Sequence, residues 1–290
     1  MNAFAISRSK SLLADGALLL VAVIWGGGFI ASKEALTTLS PFGLMSSRFL
    51  LSAAFMFLLF SKHIVKSSKR EIKYGVMIGS IQFIAFIFQL NGLALTTVER
   101  QSFLVTLYVL FVPFLSYIVA KNPLCRRDLF CAALAIVGLA FLCLHSGVFA
   151  PSLGDILSLL SAVCFAAQIV YVGNFVKGAD MFGMTFFQLL TPGVLALPFI
   201  HPAELAAADM TAVWSVAYLV FLNTAFAFSA QNIAQQYTSD SHTSLILSLE
   251  SLFGFLLAVL YYGNAVSLQE CIGCAIILAA IILANRKKRA

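Results

Sequence analysis

Glu250 stands alone as a carboxylate in the middle of an apolar run, within Ser248-Leu249-Glu250-Ser251. An acid in such surroundings can take up and release a proton, or hold a substrate ammonium group. It can equally be a neutral, hydrogen-bonded structural side chain. Uncharged polar groups recur in the same kind of setting. Gln82 and Gln89 are seven residues apart and share one helix face, Gln168 and Tyr171 are three apart, and Asn223 and Gln231 are eight apart. Tyr108 adds a phenol at similar depth. Three polar stripes on apolar helices describe a wet central cavity able to receive a polar solute; bonds between helices are the competing explanation for each of them. Arg48 is a cation inside another apolar run. It can meet a substrate carboxylate, or it can snorkel to the interface or bind helix carbonyls, and the structural role is the favoured one. Trp25 lies too deep for an interfacial aromatic belt, so it either stacks on a substrate or packs in the core.

Enzyme chemistry finds little support. No His-Glu-x-x-His, Walker A or Gly-x-Ser-x-Gly element occurs. His63, His145, His201 and His242 are dispersed, and Cys271 and Cys274 make a Cys-x-x-Cys spacing inside an apolar segment without a second ligand pair. Ser7 and Lys10 match a Ser-x-x-Lys spacing by coincidence. Gly26-Gly27-Gly28 follows no strand and precedes no suitably placed lysine, so it reads as close helix approach or a hinge rather than a phosphate loop. Catalytic residues, metal ligands and cofactors are therefore not expected.

The elements that position these residues follow from composition. The chain has 290 residues, 61% hydrophobic and only 10% charged. A soluble fold cannot hide that much apolar surface, whereas lipid accepts it. Runs long enough to cross about 30 Å of hydrocarbon fall at roughly 14–34, 41–60, 73–95, 101–120, 128–145, 153–174, 181–200, 211–234, 242–261 and 267–284. They lack the alternation of barrel strands. The expected fold is an all-α membrane protein of ten transmembrane helices. With both termini in the cytoplasm, 15 of the 18 Lys and Arg residues fall on the inner side, including Lys62, Lys66, Lys69, Arg70 and Lys73 and the terminal run Arg286 to Arg289. That placement also accounts for the net charge of +6 without nucleic acid. Pro113, Pro192 and Pro198 are candidate flexing points within or near helix ends.

The pattern repeats. At an offset of 140 residues Asp15 meets Asp155, Phe42-Gly43 meets Phe182-Gly183, Arg48 meets Gln188 and Trp25 meets Phe165; a two-residue gap then brings Asn122 onto Asn264. Five spans per half is an odd number, so the halves, 1–146 and 147–290, must be inverted relative to each other. Inverted repeats with a midplane site are the signature of secondary transporters.

Certain residues also resemble a known family. Ile24-Trp25-Gly26-Gly27-Gly28-Phe29, Pro41-Phe42-Gly43 with Ser47-Arg48-Phe49, Phe103 to Tyr108 with Val112-Pro113, and Ser248-Leu249-Glu250-Ser251 resemble, in order and spacing, the EamA-type branch of the drug/metabolite transporter superfamily. The resemblance covers nearly the whole chain. It implies a ten-helix carrier of two inverted repeats working by alternating access, with relatives that export amino acids or other metabolites. Two departures stand out: Ser251 follows Glu250 where the family often has proline, and Asn122 and Asn264 occupy places where it often has glutamate. They put any charge-dependent coupling carried over from the family in question.

The expectation is a secondary transporter of small metabolites, exporting amino acids or related compounds, in a bacterial plasma (inner) membrane. An importer or exchanger of another small solute is the first alternative, and an intramembrane enzyme or scaffold the second. Expected partners are a small-molecule substrate and the lipid bilayer, with coupled protons and a second copy of the chain as candidates and no nucleic acid.

Overall fold

A computed structural model describes residues 8–121, 126–143, 152–175, 178–263 and 268–285. The regular structure among these residues is all helical, with no strand. Helix α1 covers Arg8–Ala35, α2 Pro41–Ile64, α3 Lys69–Ala94, α4 Val98–Thr106, α5 Tyr108–Ala120, α6 Arg126–Cys143 and α7 Leu153–Phe175. Then follow α8 Met181–Ala196, α9 Pro202–Ala206, α10 Met210–Tyr218, a π-helical segment Leu219–Phe226, α11 Ala227–Ala234, α12 Asp240–Leu247, α13 Leu249–Tyr262 and α14 Leu268–Asn285.

Eight of the resulting spans are long and apolar enough to cross a bilayer. α4 with α5 makes one such span, α12 with α13 another, and α10 to α11 a third. α6 and α14 occupy the remaining two predicted segments, and their shorter apolar stretches are Leu129–Gly138 and Cys271–Ala280. Asn122, His145, Asn264, the Arg286 to Arg289 run, Ser7 and the side chains of Cys143 and Cys274 lie outside the described residues.

The burial pattern is that of a protein dissolved in lipid. Leu58 and Leu260 are each 79% exposed, while Gln82, Gln188, Gln231 and Asn232 are wholly buried. Apolar side chains can face hydrocarbon at no cost, but polar ones must find partners inside the bundle.

Local chemistry sets the helix ends. Ser40 accepts from the Gly43 N–H and Pro41 opens α2, as a helix start requires. Ser68 and Glu71 form a reciprocal capping box on α3. Thr97 and Ser239 cap α4 and α12. Lys121 (φ 55°) closes α5 and Gly263 (φ 73°) closes α13, both in the left-handed conformation that ends helices.

Two spans are broken at matching depths. α4 passes to α5 through one tight turn at Leu107, and α12 passes to α13 through another at Ser248. The Ser248 hydroxyl donates back to the Leu245 carbonyl at 2.7 Å, and this back-bonding bends helices.

α2 and α8 run antiparallel. Phe42 stacks near Phe199 (4.8 Å) at one end of the pair and Phe60 on Phe182 (4.1 Å) at the other. At the first end, Glu204 accepts from the Ser40 N–H (2.7 Å) and the Ser40 hydroxyl (3.0 Å). At the second, Glu71 accepts from the Asp180 N–H (2.7 Å), and Asp180 faces His63 Nδ1 (2.8 Å).

Two further ties sit at opposite ends of α1. At its start, Asp15 faces His242 Nε2 at 2.9 Å. Near its end, Lys33 donates to the carbonyls of Leu93 (2.8 Å) and Thr96 (2.9 Å), and just beyond them Arg100 Nε meets Asp155 at 2.8 Å. Asp155 stands 140 residues after Asp15, and His242 stands 142 after Arg100.

Candidate functional site

A cavity opens where α1, α2, α3, α4, α5, α7, the π segment, α11 and α13 converge. Seven of the residues expected from sequence line it together: Trp25, Arg48, Gln89, Tyr108, Gln168, Asn223 and Glu250. Its remaining wall is largely apolar and aromatic, with Phe86, Phe165 and Phe228 prominent.

Arg48 is 3% exposed. Its Nε donates to the Thr224 hydroxyl and its Nη2 to Asn223 Oδ1, each at 2.5 Å. The guanidinium lies 4.7 Å from the centre of the Phe86 ring and 5.4 Å from that of Phe49. No carboxylate pairs with it among the described residues. Neutral amide, hydroxyl and aromatic groups orient this cation without neutralising it. A buried charge of that kind is costly unless something supplies the opposite sign.

Glu250 is 4% exposed and lies on the same cavity, in the first turn of α13. Its carboxyl faces the hydroxyls of Tyr108 and Thr106. The Tyr108 hydroxyl is thus turned to Glu250, whereas Gln168 Nε2 is buried without a partner. Both residues line the cavity. A buried donor is rarely left unused, so the Gln168 amide is an open position for a ligand's acceptor.

The backbone is unusual where it holds Arg48. In the π segment, the Asn223 carbonyl accepts from Trp25 Nε1 (2.9 Å) and the Val220 carbonyl from the Ser52 hydroxyl (2.9 Å). Side chains of α1 and α2 thus serve carbonyls of the widened turn. Single-turn departures of this kind concentrate at functional sites. Asn223 Nδ2 also donates to the Ile24 carbonyl (2.9 Å) and the Tyr218 hydroxyl to the same oxygen (2.7 Å).

The glycine run of α1 permits this contact. A side chain at Gly28 would collide with the Asn223 amide, and one at Gly26 would meet the backbone of Gly254 at 2.6 Å. Close approach is thus the role these glycines have.

Three expected residues lie off the cavity. Gln82 accepts from Gln188 Nε2 at 2.8 Å, and Gln188 in turn accepts from Asn232 at 2.7 Å. Gln231 donates to Gln235 at 2.9 Å. Tyr171 packs beside Phe175, ring centres 5.5 Å apart. Gln82 ties α3 to α8, while Gln231 and Tyr171 make these contacts within their own helices.

Several cavity residues were beyond sequence reasoning. Phe86, Phe165 and Phe228 look like any phenylalanine in an apolar run, and Ser32 like any small residue in a helix. Thr224 was discoverable in principle as the polar neighbour of Asn223.

The model of the EamA-like transporter family matches this chain twice, over residues 12–144 and 152–286. An uncharacterized transporter of Archaeoglobus fulgidus is 32% identical over 277 residues, spanning 95% of this chain and 87% of that protein. A second uncharacterized transporter of the same organism is 23% identical over 282 residues, spanning 93% and 96%. One crystal structure superposes with a TM-score of 0.77 over 96% of this chain and 97% of its own, at 16% identity, which speaks to the fold alone.

Proposed function

The chain belongs to the EamA-like transporter family, and from that premise we propose that it carries small zwitterionic metabolites, amino acids or related compounds, out of the cell by alternating access. It is a multi-pass membrane protein and a transporter rather than an enzyme. The substrate proposal rests on one observation: a buried arginine and a buried glutamate share a cavity, and neither forms an ion pair among the described residues. In this reading Arg48 receives the substrate carboxylate, with Gln168 Nε2 as a further donor, and Tyr108 lines the Glu250 side. Glu250 receives the ammonium group or a coupled proton. Trp25 and the phenylalanines receive the apolar part, while Gln89 and Asn223 complete the polar lining.

The proposed architecture is ten spans in two inverted halves, 1–146 and 147–290. Four observations support it. The family model matches twice in tandem. The helix breaks at Leu107 and Ser248 and the left-handed caps at Lys121 and Gly263 recur at offsets of 141 and 142 residues. The ties Asp15–His242 and Asp155–Arg100 correspond in the same way. Helix pairing corresponds as well: α3 packs on α7 as α1 packs on α10 and α11, and α1 packs on α13 as α7 packs on α5. Gln188 with Gln82 then stands where Arg48 with Asn223 stands, a neutral pair off the cavity in place of a charged one on it.

The Lys and Arg bias supports a plasma (inner) membrane orientation with both termini in the cytoplasm. Outward direction follows the family resemblance. Rocking of the halves about the cavity would expose it alternately. A thermal-shift screen of the purified protein tests the substrate reading. Amino acids with an apolar side chain should raise the melting temperature, and Arg48→Gln should abolish the rise. Stabilisation by amines that lack a carboxylate, undiminished in Arg48→Gln, would refute it.

A further inference from the structure

We propose that Asp15 and His242 form a proton-sensitive latch at the Lys10 end of the bundle, while the corresponding tie at the far end, Asp155 with Arg100, holds irrespective of pH. The proposal rests on the two-halves reading above, and concerns how the cavity opens rather than what fills it.

The two ties are built alike. Asp15 and Asp155 occupy corresponding places in α1 and α7, and their partners sit in the first turns of α12 and α4, each just after a capping hydroxyl, Ser239 or Thr97. The nitrogen–oxygen distances are 2.9 and 2.8 Å. One partner is an imidazole and the other a guanidinium. Arginine keeps its charge at every physiological pH, whereas histidine gains or loses its charge near neutrality.

The sign follows. Protonated His242 and ionised Asp15 make an ion pair as well as a hydrogen bond; neutral His242 keeps at most a hydrogen bond to the carboxylate and loses the attraction of opposite charges. The latch is therefore tight in acid and loosens as pH rises. Other charged or titratable groups on α12 and the helices around it include Lys10, Lys33 and Glu34 on α1, Asp240 on α12, Tyr108, Tyr117 and the capping Lys121 of α5, Arg126 and Arg127 of α6, Asp155 and Tyr171 of α7, and Glu250, Tyr261 and Tyr262 of α13. Lys10 lies 5.7 Å from the centre of the Tyr237 ring, and Asp240 accepts from Ser116 at 2.7 Å. None of these replaces His242 as the nitrogen facing Asp15.

The position of the latch gives it leverage. The turn at Ser248 separates α12, which carries His242, from α13, which carries Glu250. α13 is held against α1 where Gly26 meets Gly254. Releasing His242 thus frees the short helix to swing about Ser248 while the cavity wall stays in place. At the other end, Leu107 separates α4, with Arg100, from α5, with Tyr108. The same lever exists there, without the titrating group. The Lys10 end carries a second imidazole–carboxylate contact, His63 with Asp180 at 2.8 Å.

Hydrogen exchange on the full chain in nanodiscs, corrected for intrinsic rates, tests this without any substrate. Between about pH 5.5 and pH 8, protection of the α12 start should fall about two- to fivefold, the range an exposed-to-half-buried ion pair commands, while the α4 start stays level. His242→Arg should make the α12 start level as well, and Arg100→His should give the α4 start the same pH dependence. His242→Gln should show low protection at both pH values. A wild-type α12 start that is insensitive to pH, or a sensitivity that survives His242→Arg, would overturn the latch. Because exchange is read without substrate, a failed transport assay would leave this result standing, and the converse holds too.

Discussion

Arg48 and Glu250 line one cavity and do not pair with each other among the described contacts. Each is almost fully buried, so each charge is withdrawn from water. A direct pair would have satisfied both. Held apart, with Tyr108 and Thr106 at one and Asn223 and Thr224 at the other, they match a molecule that carries both signs.

Arg48→Gln is expected to raise the KM for a zwitterionic substrate about tenfold to a hundredfold, the worth of one hydrogen bond to a charged group, with a smaller change in turnover. Arg48→Lys should recover little, because lysine cannot hold Thr224 and Asn223 together in one planar fork. Initial-rate transport in proteoliposomes reads both variants.

Glu250→Gln should weaken discrimination between an amino acid and its deaminated analogue. It should also flatten the pH profile of transport if the same group carries protons. A variant that kept wild-type selectivity and pH dependence would leave Glu250 a structural residue.

Gly28→Ala pushes a methyl group into the Asn223 amide and so displaces the group that orients Arg48. Overpacking of this kind costs about 1–3 kcal/mol. Gly16→Ala, on the same helix with nothing within 4 Å of the new atom, should be neutral or slightly stabilising. Thermal unfolding of the two variants gives the comparison. Only Gly28→Ala should also weaken substrate binding.

Glu204 ties the start of α2 to the short helix α9. Partial burial pushes its carboxyl up, but the Ser40 donors, the His201 N–H and the nearby His201 ring outweigh that and hold it below the ordinary carboxylate range. A depressed value means the tie is complete above that ordinary range and is lost as pH falls through the depressed one. Hydrogen exchange at the α2 start should therefore quicken in acid, and Glu204→Gln should remove that dependence.

Much of the fold was legible because lipid imposes a long apolar run on every crossing. The stretches 41–60, 153–174 and 181–200 begin at or next to the observed starts of α2, α7 and α8. The breaks at Leu107 and Ser248 and the widened turn at Leu219–Phe226 were not legible, since local hydropathy is the same on both sides of a bend. The site was half legible. Polarity in an apolar helix marks Gln82, Gln168 and Gln231 equally, but only helix rotation decides which faces the cavity. Gln168 does, while Gln82 and Gln231 meet amides of Gln188 and Gln235. The pairing of Asp15 with His242 needed two ends of the chain brought together, which no single segment reveals.

The most direct measurement is counterflow in proteoliposomes loaded with one apolar amino acid and offered, outside, the same compound, its methyl ester or its decarboxylated amine. Saturable exchange of the free amino acid, with the ester and the amine both failing and Arg48→Gln raising the half-saturating concentration by about tenfold or more, is the predicted result. Equal exchange of the amine, or a half-saturating concentration unchanged by loss of Arg48, would contradict a cavity built for a zwitterion.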